Sequence, residues 1–388
     1  MTREELVQCA HALKPKLVAR AEETQALRHL TQETKQDLED AGLARLLQPS
    51  RFGGTEGHVY GCVEILHHVG SACGATAWCL AQYIGHNYMV AQWPEAAQQA
   101  VWGEKPQSLV AGILIPLCGK AKKVDGGYQL TGRWPFVSGV NICDWCILSG
   151  MVEDADGEDE ERYFLMPYGS FEIIDTWQAM GLKGSGSNDI AVNDVYIKED
   201  MTLPIDYLKG GPTPGNAINT SPLYQLPCYM QFGIFITSAT LGIAHGMQGH
   251  YEEFIAGHKA LMSGRVSRDE VTQQIKVAEA AVCLASARAL AKTTCDQIMS
   301  HTETGLLPTD HQRTEYRAQA AFIGRTVWRA ANILWDAAMG RAVYESNPLA
   351  LSFRDMSAAS RHFTHNWDVN GAAYGRLRLG LPLDNPSL

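Results

Sequence analysis

The chain has 388 residues, 46% of them hydrophobic, with a formal net charge of -10 and a pI near 5.7. That length suits roughly two to three domains around a sizeable core, and an acidic balance with no Lys/Arg stripe argues against a nucleic-acid partner, because phosphates are bound by clustered cations. No apolar run approaches the ~20 residues needed to cross a bilayer, and the start, Met1 to Leu6, lacks the charged and then apolar pattern of a secretory signal, so a cytoplasmic protein is expected.

In the first hundred residues Leu30, Leu38, Ala41 and the stretch 43–46 space out an apolar helical face, which Pro49 and Gly53-Gly54 end. Residues 64–92 are nearly uncharged and rich in Ala, Gly and Cys, as in a helix buried on most sides. From Ser108 the period changes towards two. The stretches 120–124 and 128–131 flank Asp125-Gly126-Gly127 as a hairpin, and 145–151, 163–167 and 191–197 supply further strands. This predicts a small antiparallel β unit, with the acidic stretch 153–161 as a solvated hairpin tip. After a Pro- and Gly-rich linker, 204–222, long helices are predicted over 232–258, 268–300 and 313–343; Ile275, Ala278, Val282, Ala285 and Leu290 mark an apolar face of the second. The fold class is α+β, mainly α: an N-terminal helical domain (1–105), a central β domain (106–205) and a C-terminal helical bundle (206–388). The ten cysteines are scattered through apolar contexts, so most read as reduced core residues. Cys143 and Cys146 form a CxxC, but no second pair completes a metal site and no helix start activates a thiolate.

Two segments carry the chemistry. In Gly181-Leu182-Lys183-Gly184-Ser185-Gly186 the third glycine of GxGxxG is missing and the chain runs on into a strand, whereas a dinucleotide loop must open a helix. The glycines instead suit close approach to something flat, beside the short donors Ser185, Ser187 and Asn188. The other segment, Trp134-Pro135-Phe136-Val137-Ser138-Gly139, puts two aromatic residues two apart on one expected strand face, with Ser138 following in the same register. An isoalloxazine ring needs such an apolar wall plus a few donors near its N5 and O4 edge. Taken singly, the first segment is equally an inter-strand turn and the second is better read as core packing.

Together, and with Phe52-Gly53-Gly54 upstream and Arg354-Asp355 and His362 downstream, these segments resemble the oxygenase component of two-component flavin-dependent aromatic monooxygenases. This group (group D) is built on the acyl-CoA dehydrogenase fold and includes oxygenases for p-hydroxyphenylacetate, secosteroid phenols, indoles and dibenzothiophene. The resemblance implies reduced flavin (FMNH2 or FADH2) supplied by a separate NAD(P)H flavin reductase, O2 as co-substrate through a C4a-hydroperoxyflavin, no metal, and a homotetramer. It also implies that Ser138 approaches flavin N5 with Trp134 and Phe136 beside it, that Ser185 and Ser187 lie where the next loop meets the flavin, and that Arg265, with Arg268 nearby, is a candidate for the flavin phosphate. His86 matches a histidine of the substrate cavity, near Ala111 and Gly112, and His362 matches the C-terminal histidine near flavin C4a, with His365 as its rival. At Ala111-Gly112-Ile113, where phenol hydroxylases of the group often place a serine, this chain is apolar, which favours an indole or polycyclic ring over a phenol. Two alternatives stay open. One is an FAD-dependent acyl-CoA dehydrogenase, although Glu345 precedes Arg354-Asp355 where that family's glutamate follows the pair. The other is a non-catalytic flavin-binding protein.

Overall fold

The computed structural model describes residues 1–153, 159–210, 212–259 and 264–383. The chain opens with six helices, α1 (Arg3–Ala19), α2 (Ala21–Leu27), α3 (Gln32–Asp40), α4 (Tyr60–Gly70), α5 (Gly74–Val90) and α6 (Glu95–Trp102). Thr2 starts α1 with a capping box closed by Glu5, and Thr31 caps α3 through the Thr34 N–H; each satisfies helix N–H groups that have no partner within the helix. The apolar stretch 64–92 is two helices rather than one, turning at Ser71 to Cys73. In α5 every residue but Gln82 is buried, so this helix runs through the middle of the subunit.

Among the described residues eight strands follow: β1 (Val110–Ile113), β2 (Gly119–Val124), β3 (Gly127–Val137), β4 (Trp145–Glu153), β5 (Glu160–Pro167), β6 (Glu172–Ile174), β7 (Asn188–Lys198) and β8 (Thr202–Pro204). They form one sheet in the order β6-β7-β3-β2-β4-β5-β8, with β1 also beside β4. Val124 pairs with Gly127, so the expected hairpin turns at Asp125-Gly126. The expectation of a wholly antiparallel unit is corrected: β1 and β2 both run parallel to β4. The short helical turn Pro116–Cys118 joins them without reversing the chain, so they line up along the same edge of β4. β4 and β5 do make an antiparallel hairpin; the tip of the acidic stretch, 154–158, lies outside the described residues.

The C-terminal helices are α7 (Cys228–Gly257), α8 (Val271–Thr304), α9 (Asp310–Ala338), α10 (Pro348–Ala359) and α11 (Trp367–Arg378). α7 is buried along most of its length against α4, α5, α9 and α10. α8 has apolar residues on two faces, and the sequence alone cannot say which turns inward. Ala280, Leu284, Ala287, Ala291, Cys295 and Ile298 are the buried set, while Val271, Ile275 and Val282 are 67%, 57% and 65% exposed. No helix among the described residues is long and apolar enough to cross a membrane. All ten cysteines are free thiols, and burial raises those of Cys143 and Cys146 well above the ordinary range.

Candidate active site

α5 positions one side chain at each end of the site. Near its start, the Trp78 indole N–H donates to Ser138 Oγ at 3.1 Å. Ser138 Oγ lies 2.8 Å from Ser187 Oγ, which lies 2.7 Å from Ser185 Oγ, and all three serines are buried. A hydroxyl has one proton and two lone pairs. Trp78 takes one lone pair of Ser138; the Ser138–Ser187 bond can run in either direction, and with Ser138 as its donor the second lone pair is open to an N–H from a bound group. The strand turns sharply after it at Gly139, where φ is +75° and a Cβ would stand 2.1 Å from the Tyr83 hydroxyl, so only glycine fits. Tyr83 donates to the Gly139 carbonyl at 2.8 Å, and the Gly139 N–H donates to the Ser185 carbonyl at 2.8 Å, which fastens the two serine-bearing segments together.

The loop 181–188 is held from three sides. Asp355 of α10 accepts the Leu182 N–H at 2.7 Å, and a Cβ on Gly181 would stand 1.9 Å from the Arg354 carbonyl oxygen. Gly184 meets Thr24 of α2 and Ala75 of α5, and Arg28 pairs with Asp175 while donating to the Trp177 carbonyl at 3.3 Å. These glycines therefore serve close packing against three helices; the flat partner the sequence suggested is not what requires them. Burial raises the Asp355 carboxyl to about 7, against the opposing pull of the Leu182 N–H and of Arg354.

His362 lies on the same cluster, its ring edge-on to Trp78 at 5.5 Å between centroids. Its Nδ1 is 3.3 Å from the Thr364 N–H and 3.0 Å from Thr364 Oγ1. Accepting the N–H leaves the proton of a neutral ring on Nε2, where it is a donor. Burial lowers its pKa, with nearby His365 adding to the effect. His365 is different. Its Nδ1 is 3.2 Å from the Ala359 carbonyl, its Nε2 is 3.3 Å from Thr237 Oγ1, and it lies so close to Gly324 of α9 that a Cβ there would meet its Cδ2 at 2.4 Å. Both nitrogens are engaged inside the helical packing, so His365 does not join Trp78 and Ser138.

Two turns further along α5, roughly 12 Å at 1.5 Å per residue, His86 donates from Nδ1 to the Val110 carbonyl at 3.0 Å. That bond fixes the tautomer and leaves the lone pair on Nε2. Gly112 of β1 faces the ring: a Cβ there would be 3.0 Å from His86 Cε1 and 3.2 Å from Nε2. Ala111 is buried beside it, and Phe232 of α7 lies 6.4 Å away between ring centroids. Burial lowers the pKa of His86 to about 4. The expectation of a base poised near neutral pH is thereby corrected to a hydrogen-bond acceptor that stays uncharged.

One cofactor expectation fails on geometry. Trp134 and Phe136 do not share a wall, because β3 carries an extra residue between Trp134, opposite Ile190, and Val137, opposite Asn188. Pro135 has no N–H to give the ladder, and Phe136 sits at φ +64°. Trp134 ends fully buried, its indole N–H on the Ser149 carbonyl at 2.7 Å, while Phe136 is 59% exposed and edge-on to Trp177 at 6.3 Å. Arg265 follows α7, whose end at Gly257 is twenty residues, about 30 Å, beyond the Thr237 contact with His365. Conversely, sequence reasoning missed Trp78, which links Ser138 to His362; its one signal was a position eight residues ahead of His86 on the same helix. Among the described residues no three His, Cys, Asp or Glu side chains gather where they could hold a metal ion.

The donor set fits an isoalloxazine edge: a hydroxyl chain ending at Ser138, a neutral imidazole donor at His362, and aromatic surface at the exposed Phe136 and the half-buried Trp177. The comparisons agree. The family model for the acyl-CoA dehydrogenase C-terminal domain matches residues 234–367. The chain is 30% identical to the pigment production hydroxylase of Rhodococcus sp. (strain ATCC 21145), with 100% of both chains covered. It is 28% identical to HsaA, the oxygenase subunit of a flavin-dependent monooxygenase of Rhodococcus jostii (strain RHA1), over 96% of this chain and 97% of that one. The crystal structure of the HsaA monooxygenase from M. tuberculosis superposes with a TM-score of 0.93 at 26% identity, each chain covered completely. The fold is that of the acyl-CoA dehydrogenases. Within it, the chain belongs to the family of flavin-dependent monooxygenase oxygenase components that hydroxylate aromatic compounds.

Proposed function

We propose that this oxygenase component takes FMNH2 or FADH2 from a separate NAD(P)H flavin reductase and uses O2 to hydroxylate an indole-like, phenolic or polycyclic aromatic. Relatives include an FADH(2)-dependent resorcinol hydroxylase of Rhizobium sp. (strain MTP-10005) and an indole-3-acetate monooxygenase of Pseudomonas putida. The observation that carries the reading is the run Trp78, Ser138, Ser187, Ser185 at one end of a buried helix with neutral His86 at the other. Reduced flavin, when bound, supplies two electrons that activate O2, so that one oxygen atom enters the aromatic and the other leaves as water. Ser138 accepts the N5 proton in a hydrogen bond and keeps it in place, with Ser187 and Ser185 orienting its hydroxyl. His362 donates from Nε2 to the developing charge on oxygen. His86 accepts the OH or NH of the substrate at Nε2, which raises electron density in the ring. The apolar walls, Ala111 and Phe232 among them, exclude water that would otherwise release reduced oxygen as hydrogen peroxide.

A dehydrogenase reading would need a free carboxylate beside the ring. Glu345 is exposed ahead of α10, and Asp355 is spent on the Leu182 N–H. Purified chain given chemically reduced flavin, air and indole, with no nicotinamide nucleotide, should form hydroxylated product; a dehydrogenase would form none.

The proposal includes three units, 1–105, 106–205 and 206–388, a cytoplasmic location and a homotetramer. The outer stripe of α8, Val271, Ile275, Ala278, Val282, Ala285 and Ala289, repeats at alternating intervals of four and three, as in a helix that packs on another. Burial of such a stripe against second copies of the chain favours assembly. Arg265 would then reach a flavin from another subunit. Light scattering should give a particle of about 170 kDa from chains of 42.5 kDa, and Ile275→Asp with Val282→Asp should shift it to smaller species at micromolar concentration. A wild-type monomer would contradict the assembly.

A further inference from the structure

Ser149 stands in the middle of β4, fully buried, and its Oγ has no hydrogen-bond partner among the described residues. Leaving a buried hydroxyl unpaired is costly, and strand geometry fixes where this one points. Ser149 pairs with Tyr163 of β5, Ile147 pairs with Leu165, and Ile147 also pairs with Gly112 of β1. Directly paired residues share a face, and so do residues two apart on one strand. Ser149, Tyr163, Ile147 and Gly112 therefore all face the same way. That face looks at the helices that carry His86: Gly112 abuts the His86 ring, and the Tyr163 hydroxyl bonds that of Tyr229 on α7. Tyr229 is followed by Phe232, 6.1 Å away between rings, which in turn faces His86.

Ser149 is the diagonal neighbour of Gly112, about 8 Å away between Cα atoms by strand spacing and rise. The Tyr163 and Tyr229 hydroxyls bond each other, which uses one of their two protons, and His86 Nδ1 is spent on Val110. His86 Nε2 and Ser149 Oγ are thus open to a ligand, with apolar and aromatic surface between them.

Building on the proposed role of His86, we infer that Ser149 is the second polar anchor of the substrate site and determines its specificity. The ligand class is an aromatic with an OH or NH directed at His86 and a second hydroxyl on the opposite edge, paired with Ser149. A substrate without that second group leaves the Ser149 hydroxyl unpaired in the complex, and sites built around a buried hydroxyl discriminate strongly on that ground.

The test is calorimetric titration of the full-length, FMN-saturated protein with indole and with hydroxyindoles bearing the hydroxyl on the benzo ring. Wild type should bind the best hydroxyindole at least about tenfold tighter than indole. Ser149→Ala should abolish that preference by weakening only the hydroxyindole, and without ligand it should melt no lower than wild type, because it removes an unpaired group. A merely structural serine would instead lower the melting temperature and weaken both probes alike. The inference is overturned if wild type shows no preference, if neither probe binds, or if Ser149→Ala keeps the preference. None of these readouts depends on turnover, so hydroxylation of indole with reduced flavin can succeed while this inference fails, and the two failures are distinguishable.

Discussion

Ser138→Ala should convert the protein from a hydroxylase into a producer of hydrogen peroxide. The substitution removes the acceptor proposed for the flavin N5 proton and at the same time strands the Trp78 N–H, which donates to Ser138 in the native protein. It also cuts the hydroxyl run that passes through Ser187 to Ser185. None of these groups is needed for reduced flavin to meet oxygen, so oxygen uptake should stay within a few-fold of wild type. The retention of reduced oxygen until the substrate reacts should fail. A lost hydrogen bond to a buried site typically costs about 1–3 kcal/mol, so hydroxylated product per NADH should fall about tenfold or more, with catalase-sensitive peroxide making up the difference. Ser138→Thr keeps the hydroxyl and should recover part of the coupling, whereas Ser187→Ala breaks one link further out and should cost less. Unchanged coupling in Ser138→Ala would remove Ser138 from the mechanism.

His86→Ala should slow oxygen transfer to the substrate by about 10- to 100-fold, the cost of losing a hydrogen-bond acceptor at a buried site, while flavin oxidation in air proceeds. The pH dependence is distinctive. Because burial holds the pKa of His86 down to about 4, its acceptor form is present at every pH above that value and is lost only as the pH falls through it. The His86-dependent part of kcat/KM should therefore be flat from alkaline pH down to roughly 5.5, with no inflection near the ordinary histidine value of about 6.5. The same shift makes a neutral His86 a source of folding stability above about 6.5 that declines as the pH drops towards 4, since the unfolded chain binds the proton first. Across this range kcat/KM for hydroxylation would show the first effect, and thermal melts at the same pH values the second. An inflection near 6.5 that disappears in His86→Ala would mean the ring is more solvated than its contacts with Val110 and Gly112 imply.

The succession of helices, strands and helices was legible because periodicity is local: Asp125-Gly126 makes a hairpin turn whatever surrounds it. Ser138, Ser185 and Ser187 were legible for a related reason, since each is a short donor beside a glycine in a strand-rich region. What the chain did not disclose depends on distant partners. The pairing of Trp134 with Phe136 fails at a bulge defined by the register of β3 against β7, some fifty residues away in sequence. The choice between His362 and His365, three residues apart, is made by Gly324 on α9, which gives His365 room to pack inward and leaves His362 against Trp78. Similarly, α9 decides which apolar face of α8 is buried. Ser149 was invisible in the sequence as one polar residue in an apolar strand; it acquires meaning only when β1 brings Gly112, and with it His86, alongside.

The most direct test supplies photoreduced FMN or FAD to the purified chain under argon, without reductase or nicotinamide, and then admits ¹⁸O2 with indole present. Mass spectrometry of the organic product should show a single ¹⁸O atom per molecule, with a yield that collapses in Ser138→Ala while oxygen is still consumed. Product carrying oxygen from water, or reoxidation of flavin with only peroxide formed by the wild-type protein across indoles, phenols and polycyclic aromatics, would contradict the assignment of this site to aromatic hydroxylation.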